Sequence, residues 1–159
     1  MNRKILFRGK RLDNGQWVYG SLVRMLVDGR IATCICPIEE VGVGNKDVPS
    51  MGILYTLNKD IFMVDPATVG QYTGLTDKNG KKVFEGDIVS YVIVTGGIEE
   101  LEIPANVRHE VTFDESHAAY KIGYHYACTG TMRDVVDAKN IIVIGNRWDN
   151  PELLKGGEE

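Results

Sequence analysis

The chain has 159 residues, 43% apolar and 25% charged, with a formal net charge of −4. That length suits one domain or two small lobes, and a chain of this size buries about 70% of its unfolded surface without a disulfide or metal staple. The negative balance argues against a sequence-independent nucleic-acid binder, whose affinity rests on neutralising phosphates.

Short strand signals separated by turns run along the chain. Ile5 to Arg8 is the first, followed by Asn14-Gly15, which supplies the positive φ angles of a tight hairpin turn. The return strand is Gln16 to Val23, with Trp17, Tyr19 and Ser21 on one face and Val18, Gly20 and Leu22 on the other. Ile31 to Ile35 is a third strand. Val41 to Pro49 alternates Gly with polar residues and reads as loop, and Met51 to Thr56 and Ile61 to Val64 are weaker strand signals.

Asp65-Pro66 punctuates the chain before Thr68 to Tyr72 leads into a second hairpin. There Asp77-Lys78-Asn79-Gly80 has the chemistry of a type I turn closed by a left-handed Gly. Glu85-Gly86-Asp87 forms a kink, and Ile88 to Val94 is nearly all β-branched, apolar or aromatic, as a buried strand requires. Thr95 to Asn106 reads as an exposed loop. Val107 to Phe113 and Ala119 to Tyr126 are strands joined by the Asp114-Glu115-Ser116-His117 turn. Asp134 to Lys139 suits one or two helical turns, and Ile141 to Ile144 is the last strong strand. In the tail, Asn150 is placed to cap a single helical turn that begins at Pro151. Gly9 to Tyr19 and Gly74 to Phe84 share Gly, Asn-Gly and Val-aromatic at equal spacings, an echo too short to establish a repeat.

Candidate chemistry is sparse. No phosphate-binding loop, dinucleotide fingerprint or histidine-glutamate zinc motif is present. His109, His117 and His125 are spaced by eight, but turns separate them, and zinc sites usually include a short local ligand pair. Cys34-x-Cys36 would put both sulfurs on one strand face, at a spacing that fits buried small residues better than zinc. Asp114, Ser116 and His117 make a triad on paper, yet Asp and Ser at adjacent turn positions are explained more cheaply by turn chemistry. Glu85 and Asp87 are a carboxylate pair flanking Gly86, where Asp87 could accept backbone N–H bonds. Arg3, Lys4, Arg8, Lys10 and Arg11 crowd the N-terminus; solvated strand faces or a local anion patch would account for them.

Three groups of residues carry a resemblance. Lys4-Ile5-Leu6-Phe7-Arg8-Gly9 with Gly15-Gln16-Trp17-Val18-Tyr19-Gly20 is similar to the opening of the YopX family of phage and prophage proteins. Val69 to Asp77 followed by Phe84-Glu85-Gly86-Asp87-Ile88-Val89 resembles its centre, and Val143 to Asn146 with Asn150 to Leu154 resembles its close. The resemblance implies a protein of mobile elements and an oligomer-forming chain. It brings no established activity and no catalytic residues to carry over.

The expected fold is mainly β with little helix. An N-terminal small sheet would span 1–70, a C-terminal SH3-like barrel-type sheet 71–154, and a disordered tail 155–159. The expected function is a non-catalytic, self-associating binding or accessory protein of phage or prophage origin, partnered by copies of itself and by a host or phage protein. The alternatives are a metal-dependent enzyme using His109, His117 and His125 with Glu85 and Asp87, and a nucleic-acid-binding accessory protein using the basic N-terminus. Candidate binding residues are Glu85, Asp87, Arg3, Lys4, Arg8, Lys10 and Arg11, with no catalytic residue, metal ligand or cofactor assigned. No apolar stretch reaches the about 18 residues of a membrane helix, no signal-peptide core is visible, and three sparse cysteines suit reduced thiols. A cytoplasmic location follows as the expectation.

Overall fold

The computed structural model describes residues 4–37, 61–91, 108–123, 125–127, 135–136 and 141–155. The expected loops at Val41 to Pro49 and Thr95 to Asn106, the strand at Met51 to Thr56, and Arg3, Val92 to Val94 and Cys128 lie outside these residues. The described chain is mainly β, with two 3-10 turns as its only helical elements among those residues. It divides into two compact units, Asn2–Gln71 and Tyr72–Glu159.

The N-terminal unit contains β1 (Phe7–Lys10), β2 (Trp17–Val27), β3 (Arg30–Cys36) and β4 (Phe62–Met63), and the start of β5 (Gly70–Thr76). Its strands run antiparallel in the order β4-β3-β2-β1-β5. Alternation along the strands separates two faces. Val18, Ile35 and Val64 form the core on one of them, with Phe7, Leu22, Phe62 and Val69 packed against it. Burying a side chain of this size contributes about 1.5–3 kcal/mol.

The first hairpin differs from its expected form. Asn14 is not among the described residues with positive φ, and only Gly15 takes that conformation. The connection is instead a wider loop, closed by Arg11 N–H to Gln16 O at 2.9 Å and Gly15 N–H to Arg11 O at 2.9 Å. The Asn14 side chain accepts Gln16 N–H at 3.0 Å, which stabilises this alternative. The two-residue turn lies one hairpin later. Asp28 at φ 48° and Gly29 at φ 75° join β2 to β3, a type I′ arrangement whose twist suits a long hairpin.

The C-terminal unit contains the rest of β5, β6 (Lys82–Phe84), β7 (Asp87–Tyr91), β8 (Arg108–Asp114), β9 (Ala119–Ile122), β10 (His125–Ala127), β11 (Val135–Val136) and β12 (Ile141–Asn146). The sheet order β11-β10-β9-β8-β7-β12 is open, so among the described residues no barrel closes, contrary to the SH3-like expectation. β7 is an interior strand, paired with β8 and β12, and both Ile88 and Val89 are fully buried, which is why adjacent positions at its centre are both apolar. Leu75, Val83, Val89, Val111, Tyr120, Ile122, Ile141 and Val143 form the core.

Three further expectations change. The strand expected over Ala119 to Tyr126 breaks at Gly123 and folds back, so that His125 pairs with Ile122. Val135 and Val136 extend in parallel with Tyr126 and Ala127 where helical turns were expected; paired backbone and β-branched side chains favour the strand. Pro151–Leu154 is a 3-10 turn with Pro151 in first position, but Asn150 makes no side-chain cap to it.

The β5–β6 turn is fastened by one carboxylate. Asp77 is 5% exposed. Its Oδ1 accepts Asn79 N–H at 2.8 Å and Lys81 N–H at 2.9 Å, while Gly80 closes the turn through its N–H to Asp77 O at 2.9 Å. Its Oδ2 accepts Val143 N–H at 3.0 Å, and Lys78 N–H reaches Ile141 O at 3.1 Å. Burial alone would raise the Asp77 carboxyl, but the N–H bonds from Val143, Lys81 and Asn79, with the Lys81 charge, hold it below its ordinary value. A depressed folded-state pKa contributes stability above the unfolded value near pH 4, lost as pH falls through the folded value. Asp77→Ala is therefore expected to destabilise the protein by about 3 kcal/mol, by stranding buried N–H groups. Urea melts between pH 7 and pH 2.5 should show wild-type stability falling below about pH 4, and a smaller fall in the variant.

Candidate functional site

Two clusters bring the candidate residues into view, one in each unit. In the N-terminal unit, β1 turns Phe7 and Gly9 toward the core and Arg8 and Lys10 to the other face, where Arg8 pairs with Tyr19 and Lys10 with Trp17 across the strands. The Arg8 guanidinium lies 4.8 Å from the Trp17 ring centroid and Lys10 Nζ lies 5.5 Å from it. Such contacts contribute about 0.5–2 kcal/mol each, more as the cation is desolvated. Arg8 is only 5% exposed, so its stem and charge serve the fold as much as the surface. Arg11 stacks 3.8 Å from the Phe62 ring centroid and forks onto Asp13, and its hydrogen bond holds the Asp13 carboxyl below its usual value. Lys4 is exposed, before β1 begins.

In the C-terminal unit, Glu85 and Gly86 form the turn between β6 and β7, and Asp87 opens β7. Glu85 therefore does not share a strand face with Asp87. Asp87 is 1% exposed, and its Oδ2 accepts Phe84 N–H at 2.8 Å across the turn. Gly86 donates to Val111 O at 2.8 Å and accepts from Arg147 N–H at 2.9 Å. It has φ +78°, and a methyl group there would overlap the Trp148 ring. Asn146 fixes the loop that carries Trp148: its Oδ1 accepts Trp148 N–H at 3.1 Å and Asp149 N–H at 2.9 Å, and its Nδ2 donates to Asp149 at 2.8 Å. Half-buried Glu85 is the more accessible of the two carboxylates.

Among the described residues the histidines join no metal-binding cluster. His109 is half-buried on β8 against Gly123, His117 is exposed in the β8–β9 turn, and the His125 side chain lies outside the described residues. Among the described residues no three His, Cys, Asp or Glu side chains gather around one point. Asp114, Ser116 and His117 do meet. Ser116 Oγ donates to Asp114 Oδ1 at 2.6 Å, and His117 Nδ1 lies 2.8 Å from Ser116 Oγ and 3.0 Å from Asp114 Oδ2. A nucleophilic triad needs the imidazole to bridge serine and acid through opposite ring nitrogens. Here one nitrogen meets both, and the serine donates to the carboxylate. This is a turn network, in which the Ser116 hydrogen bond, with His117 and Lys121, holds the Asp114 carboxyl well below its usual range despite partial burial. Cys34 and Cys36 are free and buried on one face of β3, and burial pushes the Cys34 thiol up.

These features define a mainly β protein whose polar clusters among the described residues are committed to turns, stacking and strand junctions. The chain belongs to the YopX family, whose model, described as YopX protein, matches residues 6–155. It is similar in fold to the crystal structure of protein EF1440 from Enterococcus faecalis, with a TM-score of 0.52 and 21% identity over 96% of this chain and 99% of that one. No curated protein matches it.

Two outcomes are expected. Gly86→Ala should lower stability by roughly 2–4 kcal/mol, since the added methyl must displace Trp148 and the φ is left-handed, and thermal melts with Trp148 fluorescence would register both. A double-mutant cycle of Arg8→Ala and Trp17→Leu should give a coupling of about 1 kcal/mol in denaturant unfolding.

Proposed function

We propose that this chain is a non-catalytic, self-associating binding or accessory protein of phage or prophage origin, working in the cytoplasm. The carrying observation is the set of large apolar side chains left exposed on its strands and their ends. Leu26 is 75% exposed, Ile31 67%, Tyr19 47%, Met63 47%, Phe113 42% and Ile144 37%. Exposed apolar surface on open sheets is what association covers, and open edges offer backbone donors and acceptors to another strand. Membership of the YopX family supports the mobile-element origin. No helix among the described residues is long and apolar enough to cross a membrane, which accords with a partner in solution.

A second reading is favoured by the stacking of Arg8 and Lys10 on Trp17. Cations beside an aromatic ring suit an anionic, stacking ligand such as single-stranded nucleic acid. The net charge of −4 weighs against it as the main function.

Light scattering coupled to size exclusion, at micromolar protein and moderate salt, is expected to return a mass of at least two chains. A strict monomer across a hundredfold concentration range would overturn the first reading. Salt-sensitive binding of a labelled oligonucleotide, lost in Lys10→Glu, would raise the second in its place.

A further inference from the structure

The β2–β3 hairpin continues beyond the neighbours that cover its base. β1 pairs with β2 only at Trp17 to Gly20, and β4 pairs with β3 only at Cys34 and Ile35. Among the described residues, apart from the Thr33 carbonyl, β2 and β3 pair beyond those positions only with each other, out to Val27 and Arg30. Alternation gives the backbone N–H and C=O of Ile31 the same outward direction as those of Thr33, whose carbonyl accepts Val64 N–H at 3.0 Å. Among the described residues no strand meets Ile31 on that edge.

The face of this tip continues the core face. Leu22 and Ile35 pair within the core, and Leu26 and Ile31 pair on the same face two steps further out. Those two are 75% and 67% exposed, the most exposed large apolar residues on the described strands. The charges beside them are ordered. Arg24 lies two residues before Leu26 on β2, and Asp28 lies two residues after it in the turn at the hairpin tip; neither has an ion-pair partner among the described residues.

The order cation, apolar, anion is self-complementary. If two hairpins lie antiparallel about a two-fold axis through Leu26, Arg24 of each faces Asp28 of the other, and the two Leu26–Ile31 pairs meet at the centre. A partner of unrelated sequence would have to supply that pattern; a second copy already has it.

We propose that the tip of the β2–β3 hairpin is an interface between two copies of this chain, centred on Leu26 and Ile31 and set in register by Arg24 against Asp28 of the second copy. This rests on the self-association reading and names the surface and the partner. Both central side chains stand in solvent, so changing them leaves the fold of each copy intact. The axis makes a test possible that loss of folding cannot imitate. At a two-fold centre each residue meets itself, so Leu26→Asp and Leu26→Lys each place like charges together, whereas a mixture of the two variants places opposite charges together.

Light scattering of the wild type, the two variants and their equimolar mixture decides the matter. Each variant alone is expected to associate about tenfold or more weakly than wild type, with an unchanged melting profile at low concentration, and the mixture to recover association. A monomeric wild type would overturn the self-association reading and this interface together. A wild-type oligomer with both variants equally associated would overturn this interface alone and leave self-association to another surface. Weakened variants that do not recover on mixing would overturn the two-fold geometry.

Discussion

The C-terminal unit depends on a negative charge held out of water at Asp77. A carboxylate 5% exposed is tolerable only when hydrogen bonds replace the water it has lost, and here two come from its own turn and one from β12. The turn residues thus do two things with one group. They order the β5–β6 hairpin, and they dock it on the strand that completes the sheet beside β7. Thr73 repeats the device more weakly, its hydroxyl donating to Val83 O at 2.9 Å and accepting Leu75 N–H at 3.1 Å where the β5–β6 register shifts.

A second junction lies at the other end of β12. Gly86, bonded to β8 and to Arg147, lets the Trp148 ring approach the backbone, and Asn146 holds the loop that delivers the ring. Arg147 also reaches Glu110 on β8 at 2.8 Å, an exposed pair that contributes little on its own but lies beside the same junction. The residues that resemble the family's centre and close are therefore neighbours in space. Glu85-Gly86-Asp87 and the segment ending in Asn146 meet through strand pairing, since Asn146 pairs with Asp87. Their pattern is accounted for by packing and backbone hydrogen bonds.

Much of this was legible in the sequence wherever the signal is local. Asp77 to Gly80 announces its turn because type I geometry with a closing glycine needs those side chains at those places. The apolar run from Ile88 announces a buried strand. Contacts between distant residues left no such trace: nothing near Asp77 indicates that Val143 donates to it, and nothing near Gly86 indicates Trp148. Asn14-Gly15 suggested a two-residue turn that the side-chain bonds of Asp13 and Asn14 displaced. Asp28-Gly29 carries the same signal, but the polar Arg24 and Arg30 around it interrupt the apolar pattern of β2 and β3 that would mark a hairpin. The serine, histidine and aspartate of the β8–β9 turn came together as their adjacency required. Only the geometry shows that a single ring nitrogen serves both partners.

The bond from Val143 N–H to Asp77 joins residues 66 positions apart, and Val143 belongs to β12, the last of the described strands. During synthesis the β5–β6 hairpin emerges long before its third hydrogen-bond donor exists. Until then Asp77 keeps its water, and the apolar side of the hairpin has no β12 to close on. The sheet of the C-terminal unit is thus finished only once β12 has emerged. The ribosome's schedule, as much as the sequence of the hairpin, sets when that buried charge becomes part of a core.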